Sequence, residues 1–170
     1  MPQASAESTA PGQVRRRVRF SSPKARERAE NFVRVGRGIA GKGVFARRRI
    51  AKGTVISEIP GTLIIDADYG SNYCIDAGKD RSFEPGAPFR FLNHSCEPSA
   101  ALFFYDGDPD EFPNDRPYLE ALRTIREGEE IFIDYAWDPD SAIPCLCGAP
   151  TCRGWVVDPD RLQETIEKNA

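Results

Sequence analysis

Arg90-Phe91-Leu92-Asn93-His94-Ser95-Cys96-Glu97-Pro98 holds the only histidine of this 170-residue chain and one of its five cysteines. Far downstream, Cys145-Leu146-Cys147-Gly148-Ala149-Pro150-Thr151-Cys152 holds three more. Three thiols at tight spacing and one distant thiol match a four-cysteine zinc site, with Cys96, Cys145, Cys147 and Cys152 as ligands. Such a site ties the end of the chain back onto its middle. Four thiolates fill a tetrahedron, so one structural zinc ion is expected, with no position open to a substrate. An odd number of cysteines rules out complete disulfide pairing. Cys74 lies outside the cluster and reads as a buried strand residue.

Composition sets the frame around these segments. Hydrophobic residues make up 40% of the chain, enough for a core, and 14 prolines and 14 glycines favour turns and short strands over long helices. Strand-like runs occur at residues 32–35, 44–46, 54–59, 63–65, 73–75, 100–105, 118–122 and 131–135. The segment after Asp158-Pro159 reads as a short helix, with Asp158 as N-cap and Leu162 and Ile166 on one apolar face. The fold class is therefore mostly β with small helices. Residues 1–12 lack the apolar centre of a secretory signal peptide. No run approaches the roughly 20 apolar residues that span a bilayer. A soluble intracellular protein without membrane contact is expected, cytoplasmic or nuclear, where zinc is favoured over disulfides.

The formal charge of −3 conceals an asymmetry: residues 1–30 carry seven basic and three acidic groups, a net +4, leaving −7 for the rest. Residues 1–30 read as a basic, disordered arm. Such an arm is either a solvated tail, a localisation signal or a weak nucleic-acid contact. Residues 106–117 form an acidic insertion between two strands, which is either a solvated loop or a surface that steers a basic substrate.

Two further segments join the histidine-containing one. Gly41-Lys42-Gly43-Val44-Phe45-Ala46 gives a loop whose glycines let backbone approach a ligand, although alone it is equally a strand turn. Gly128-Glu129-Glu130-Ile131-Phe132-Ile133-Asp134-Tyr135 gives a turn and a strand ending in tyrosine. Together with the cysteine-rich segment, in this order, they resemble the SET-domain protein lysine methyltransferases with a C-terminal post-SET zinc segment. The likeness runs from about Phe32 to Val157. It implies a β-clip-like SET fold of several small curved sheets around a pseudoknot, in which the strand bearing Tyr135 passes the loop bearing Asn93 and His94. It divides the chain into a SET domain at residues 31–137, a post-SET segment at 138–157 and a short helix at 158–170. A His-Asp-Ser hydrolase finds no support, because no Gly-x-Ser-x-Gly elbow is present.

The resemblance also implies roles. Gly41, Lys42, Gly43, Asn93, His94, Tyr135 and Trp155 would hold the methyl donor, S-adenosyl-L-methionine. Tyr135 and Tyr73 would be catalytic, and Tyr73, Ile133 and Tyr135 would line a channel for the substrate lysine. Taken alone, Tyr73 is equally a packed strand aromatic, Trp155 a surface one and His94 a satisfied core group. A lysine attacks only as the neutral amine, which at pH 7 costs about 4.6 kcal/mol from a reference pKa near 10.4. An apolar channel and a cationic donor both lower that pKa. Ile133 carries no hydroxyl to restrict the product to monomethyl-lysine, so di- and trimethyl products are expected. Ser99, Thr62 and Phe89 depart from the family's usual residues. The expected partner is a basic, lysine-containing protein such as a histone. A non-enzymatic SET module that binds a lysine-bearing tail is the competing reading.

Overall fold

The computed structural model describes residues 16–20, 22–66, 68–78, 81–104 and 116–170. Strand β1 (Arg16–Phe20) is followed by helix α1 (Pro23–Phe32), strand β2 (Val33–Gly38) and strand β3 (Gly41–Ala46). Next come β4 (Val55–Glu58), β5 (Gly61–Ile65), β6 (Ile75–Asp76) and β7 (Arg81–Pro85). A single 3-10 turn at Phe89–Phe91 leads into β8 (Asn93–His94), then β9 (Ala100–Phe104), β10 (Pro117–Ala121) and β11 (Phe132–Ile133). The chain ends through β12 (Ile143–Pro144), β13 (Trp155–Val156) and helix α2 (Leu162–Lys168). The strands form small sheets ordered β1-β5-β7-β6, β4-β10-β9, β11-β8, β12-β13 and β2-β3. The expected mostly-β architecture of several small sheets is thus observed.

One core serves these sheets. Val44, Ile56, Ile59, Phe83, Leu119, Ile125 and Ile131 are all fully buried. They come from β3, β4, β7, β10 and the connections between strands, so the core is assembled across sheets. The central position of β10 explains its contribution. Tyr118, Leu119 and Ala121 are buried between β4 and β9, while Glu120 is half-buried.

Order extends further towards the N-terminus than the sequence suggests. The expected disordered arm at residues 1–30 contains β1, paired with β5, and nearly all of α1. Helix α1 starts at Ser22, whose hydroxyl accepts from the Ala25 amide, with Pro23 in the first turn. Its buried side chains are Ala25 and Ala29. Two alanines give too small an apolar signal to stand out in a run of charges. Residues 1–15 lie outside the described residues, as does the acidic insertion except Arg116 and Pro117.

The C-terminal helix is shifted from its expected start. Asp158 caps a 3-10 turn at Pro159–Arg161, and α2 begins only at Leu162. Its fully buried side chain is Thr165, whereas Ile166 is 44% exposed. The expected apolar face of Leu162 and Ile166 is therefore wrong by one position. Cys74 is likewise only partly buried, with its thiol donating to the Ser71 carbonyl.

Leu119→Ala empties a closed site in the central strand and is expected to cost about 2–5 kcal/mol in denaturant unfolding. Leu122→Ala, at a 38% exposed position just beyond the strand, should cost under about 1 kcal/mol.

Candidate functional site

Strands β8 and β11 run parallel, Phe132 opposite Asn93 and Ile133 opposite His94. Three backbone contacts seat this short pair. Ser95 N–H donates to the Ile133 carbonyl at 3.0 Å, Ser99 N–H donates to the Phe132 carbonyl at 3.1 Å, and the Ser99 hydroxyl accepts from Phe132 N–H at 3.0 Å. Ser99, one of the departures from the family pattern, is fully buried for this purpose. Immediately beyond β11, the Tyr135 amide donates to His94 Nδ1 at 3.2 Å and the Tyr135 hydroxyl donates to the Leu92 carbonyl at 2.7 Å. The phenol is thus held at both ends by the Leu92–His94 segment.

Tyr135 lines a cavity of about 440 Å³ together with Tyr73, Ile133 and Trp137. The three residues expected to line a substrate channel do share one cavity. Ile133 is 8% exposed at its wall and Tyr73 49% exposed at its mouth. The Trp137 ring stacks on Tyr135 with centroids 5.4 Å apart, and the Arg90 guanidinium lies 4.6 Å over the Tyr73 ring. Burial and then the neighbouring Tyr73 push the Tyr135 phenol above its ordinary pKa. It therefore stays protonated at neutral pH. With its proton committed to Leu92, its oxygen can only accept from another group in the cavity.

Gly41, Lys42, Gly43, Asn93, His94 and Trp155 do not line this cavity. Gly41, Lys42, Gly43 and Asn93 form a second group, joined through the Asn93 side chain. Both amide hydrogens of Asn93 are committed, to the Lys42 carbonyl at 3.1 Å and to Glu130 Oε1 at 2.7 Å. That fixes the amide's orientation and leaves Oδ1 as a spare acceptor. Glu130 Oε2 accepts from the Ile39 amide at 3.2 Å. A Cβ built on Gly38 or on Gly43 would come within 2.2 Å of Glu130 Oε1. A side chain at Gly43 would displace the Glu130 carboxylate from its bonds to Asn93 and Ile39, a relation the sequence reading did not find. Gly41 meets nothing, and its φ of +95° marks the turn between β2 and β3.

The thiols gather on the far side of His94. Cys96 Sγ is 3.7 Å from Cys145 Sγ and 3.9 Å from Cys152 Sγ, and Cys147 Sγ accepts from the Cys96 amide at 3.5 Å. The amides of Arg153 and Gly154 point at Cys96 and Cys152 sulfurs. Burial pushes the Cys145 thiol up to about 12. Burial acts the same way on Cys147, but the amides of Cys96 and Ala149 and the neighbouring thiols outweigh it and bring Cys147 down to about 6. His94, Cys96, Cys145 and Cys147 present ligand atoms all within 4.8 Å of one another, so the cluster could hold a metal ion.

His94 has a hydrogen-bond partner at each ring nitrogen. Burial lowers its pKa, more than Asp134 raises it, so the ring is neutral. Nδ1 accepts from the Tyr135 amide, which puts the ring hydrogen on Nε2, 3.5 Å from Cys96 Sγ. A nitrogen carrying hydrogen is a donor to the sulfur, not a metal ligand. Cys96, Cys145 and Cys147 remain from that group, and Cys152 Sγ lies 3.9 Å from Cys96 Sγ.

Arg153 closes the arrangement. It makes a two-pronged pair with Asp134, at 2.8 and 2.9 Å, and also donates to the Val157 carbonyl at 3.0 Å. Trp155 stands opposite Pro144 on the β12–β13 ribbon, away from the cavity. Sequence reasoning missed Glu130, Trp137 and the Asp134–Arg153 pair. Trp137, Asp134 and Arg153 were each within two positions of a residue already singled out, and Glu130 was three from Ile133. Trp137 could have been found as the next same-side position after Tyr135.

Gly43→Ala drives a methyl group into the Glu130 carboxylate and should lower the unfolding midpoint. If that contact is the cause, adding Glu130→Ala will cost less on the Gly43→Ala background than on the wild type. Additive losses in this double-mutant cycle would show that the carboxylate is not what requires glycine.

The SET domain family model matches residues 41–136. A histone-lysine N-methyltransferase of Cryptococcus neoformans, described as specific for lysine 4 of histone H3, is 32% identical over 159 residues, covering 81% of this chain and 10% of the relative. Histone-lysine N-methyltransferase trr of Drosophila melanogaster is 33% identical over 151 residues, covering 78% of this chain and 6% of the relative. The chain thus spans about a tenth or less of these two proteins. A solved structure of a candidate histone methyltransferase from Plasmodium falciparum shares the fold, with TM-score 0.52 and 24% identity, covering 64% of this chain and 96% of that one. The match to the family model takes in more than half of the sequence, including both strands of the β8–β11 pair and Tyr135, and the protein belongs to the SET-domain family.

Proposed function

We propose that the protein is an S-adenosyl-L-methionine-dependent methyltransferase acting on lysine side chains of a basic protein, with histones the leading class, and that it works at chromatin. The observation that carries this reading is Tyr135. Its oxygen lies at a partly apolar cavity as an acceptor, and Asn93, on the strand paired with β11, bonds the glycine loop through its side-chain amide. The relatives named above are histone-lysine methyltransferases.

The residues around Asn93 fit the donor. Among the described residues Asn93 Oδ1 has no hydrogen-bond partner, and it suits an ammonium group such as that of the donor's amino acid end. Glu130 holds the Asn93 amide in the orientation that presents this oxygen. Gly41, Lys42, Gly43 and His94 would complete the donor's surroundings, with Trp155 nearer the cluster of thiols. The bound donor supplies a methyl group made electrophilic by its positive sulfur.

On the cavity side, the chain's own residues prepare the amine. Ile133, Leu92, Phe89 and the ring faces of Tyr135 and Trp137 make the wall apolar, which disfavours an ammonium and lowers the lysine pKa. The Tyr135 oxygen accepts a hydrogen bond from the amine and so aims its lone pair, a matter of orientation and not of general base catalysis. Tyr73, with Arg90 over its ring, would border the lysine's path. Asp76, Asp134, Asp138 and Asp158 outnumber Arg90 and Arg161 around the cavity, which favours a basic segment.

The thiol cluster fits one structural zinc ion held by Cys96, Cys145, Cys147 and Cys152. It would fix Arg153, and through Asp134 the backbone beside Tyr135. Metal analysis of the purified protein should give one zinc per chain. Cys152→Ser should lose it while His94→Gln retains it. The reverse pattern would transfer the fourth ligand to histidine.

Tyr135→Phe keeps the ring stacking but removes the acceptor, and should lower kcat on histone or peptide substrate by about 100-fold or more, leaving binding of S-adenosylhomocysteine intact. Unchanged kcat would remove Tyr135 from the reaction. In the same assay, mass spectra should show di- and trimethyl-lysine with the wild type. Ile133→Tyr, which brings a hydroxyl to the wall, should shift the product to monomethyl-lysine.

A further inference from the structure

Residues 22–52 carry ten lysines and arginines against two glutamates, whereas residues 53–170 carry nine against 23 acidic residues. The basic third is not an arm but folded structure, α1 with β2 and β3 and the turn after them. Arg26, Arg28, Arg34, Arg47 and Arg48 are all exposed there. Among the described residues none of these five has an ion-pair partner. Five uncompensated guanidiniums on neighbouring elements repel one another, a cost that calls for an anionic partner.

These side chains are also held in place. Arg28 and Arg47 donate through Nε to the carbonyls of Val55 and Val33, each at 2.8 Å, which leaves their terminal nitrogens free. Arg48 lies 4.3 Å over the Phe32 ring with Arg28 at 5.7 Å from the same ring, and Arg34 lies 5.1 Å over Phe45. Arg26, Arg34 and Arg47 line a cavity of about 480 Å³ with Pro60, Ala87 and Pro88, where Glu30 is the one acidic residue against three arginines. The next residues along, Phe89 and Arg90, line the Tyr135 cavity, so the basic face adjoins the candidate active site across one turn of chain.

We propose that this face binds the phosphate backbone of a nucleic-acid duplex. Pre-positioned guanidinium forks suit phosphate oxygens in two-pronged contacts. Their spread over a helix, two strands and a turn suits a repeating polyanion better than a single acidic group. Phe32 and Phe45 are covered by arginine, so they are not available as platforms for unstacked bases, which favours a duplex over a single strand. Backbone contacts of this kind carry no sequence preference. The assignment is independent of the proposed methyl transfer.

The test is fluorescence anisotropy of the full chain with two unrelated DNA duplexes of about 30 base pairs, across a salt series. Wild type should bind both alike. Arg26→Gln/Arg34→Gln/Arg48→Gln, which spares the backbone-anchored Arg47, should weaken binding about 10-fold or more near 50 mM salt and flatten the salt slope by about 0.9 for each lost phosphate contact. Lys168→Gln, a control on α2 where the lysine is ion-paired with Asp140 and Glu164, should change neither. Arg34→Gln alone, at an exposed position, gives the same effect at smaller size should the triple variant show a lowered unfolding midpoint. Wild-type affinity in the triple variant or in Arg34→Gln overturns the proposal, as does an equal loss in the control. Displacement of DNA by polyglutamate at equal charge overturns it in favour of an acidic protein partner.

Discussion

Two residues of β11 lie parallel to two residues of β8, and the buried Ser99 hydroxyl holds them there. A parallel pair cannot be closed by a tight turn, so the chain between must go round through β9 and β10 before it returns. That detour supplies β9 and β10 to the β4-β10-β9 sheet and adds Ala100, Leu119, Ala121, Ile125 and Ile131 to the core. It also delivers Tyr135 to His94 and Leu92 in one fixed orientation. Without the pair, the cavity, the glycine loop and the thiol cluster would have no common reference.

Charge is organised around the same point. His94 is kept neutral by burial, so one face of the imidazole can receive the Tyr135 amide and the other can donate to Cys96. Asp134 is then free to serve Arg153, which belongs to the thiol-bearing segment. A single uncharged ring thus separates a cluster of sulfurs from a phenol while bonding to both. Protonating it would set its Nδ1 hydrogen against the Tyr135 amide and turn it towards Asp134 at 3.5 Å.

Much of this was legible in the sequence because the informative residues are rare types in ordered motifs. One histidine, four clustered thiols and a strand ending in tyrosine leave few arrangements. The strands from Val44 to Ile65 were visible through apolar runs bounded by glycine and proline. Helix α1 was not, since Ala25 and Ala29 bury too little surface to register among arginines and glutamates. The short strands β8, β12 and β13 exist through long-range pairing, which no local pattern encodes. Glu130 was given no role because its partners, Asn93 and the Ile39 amide, are far away in sequence.

The position of the Glu130 carboxylate has a consequence for how the site is made. Gly38 and Gly43 are bare because a side chain of the protein itself occupies the space above them. The loop is therefore shaped by an internal contact formed during folding, before any small molecule arrives. A ligand entering beside Asn93 meets backbone that is already ordered, and little of its binding free energy is consumed in arranging the loop.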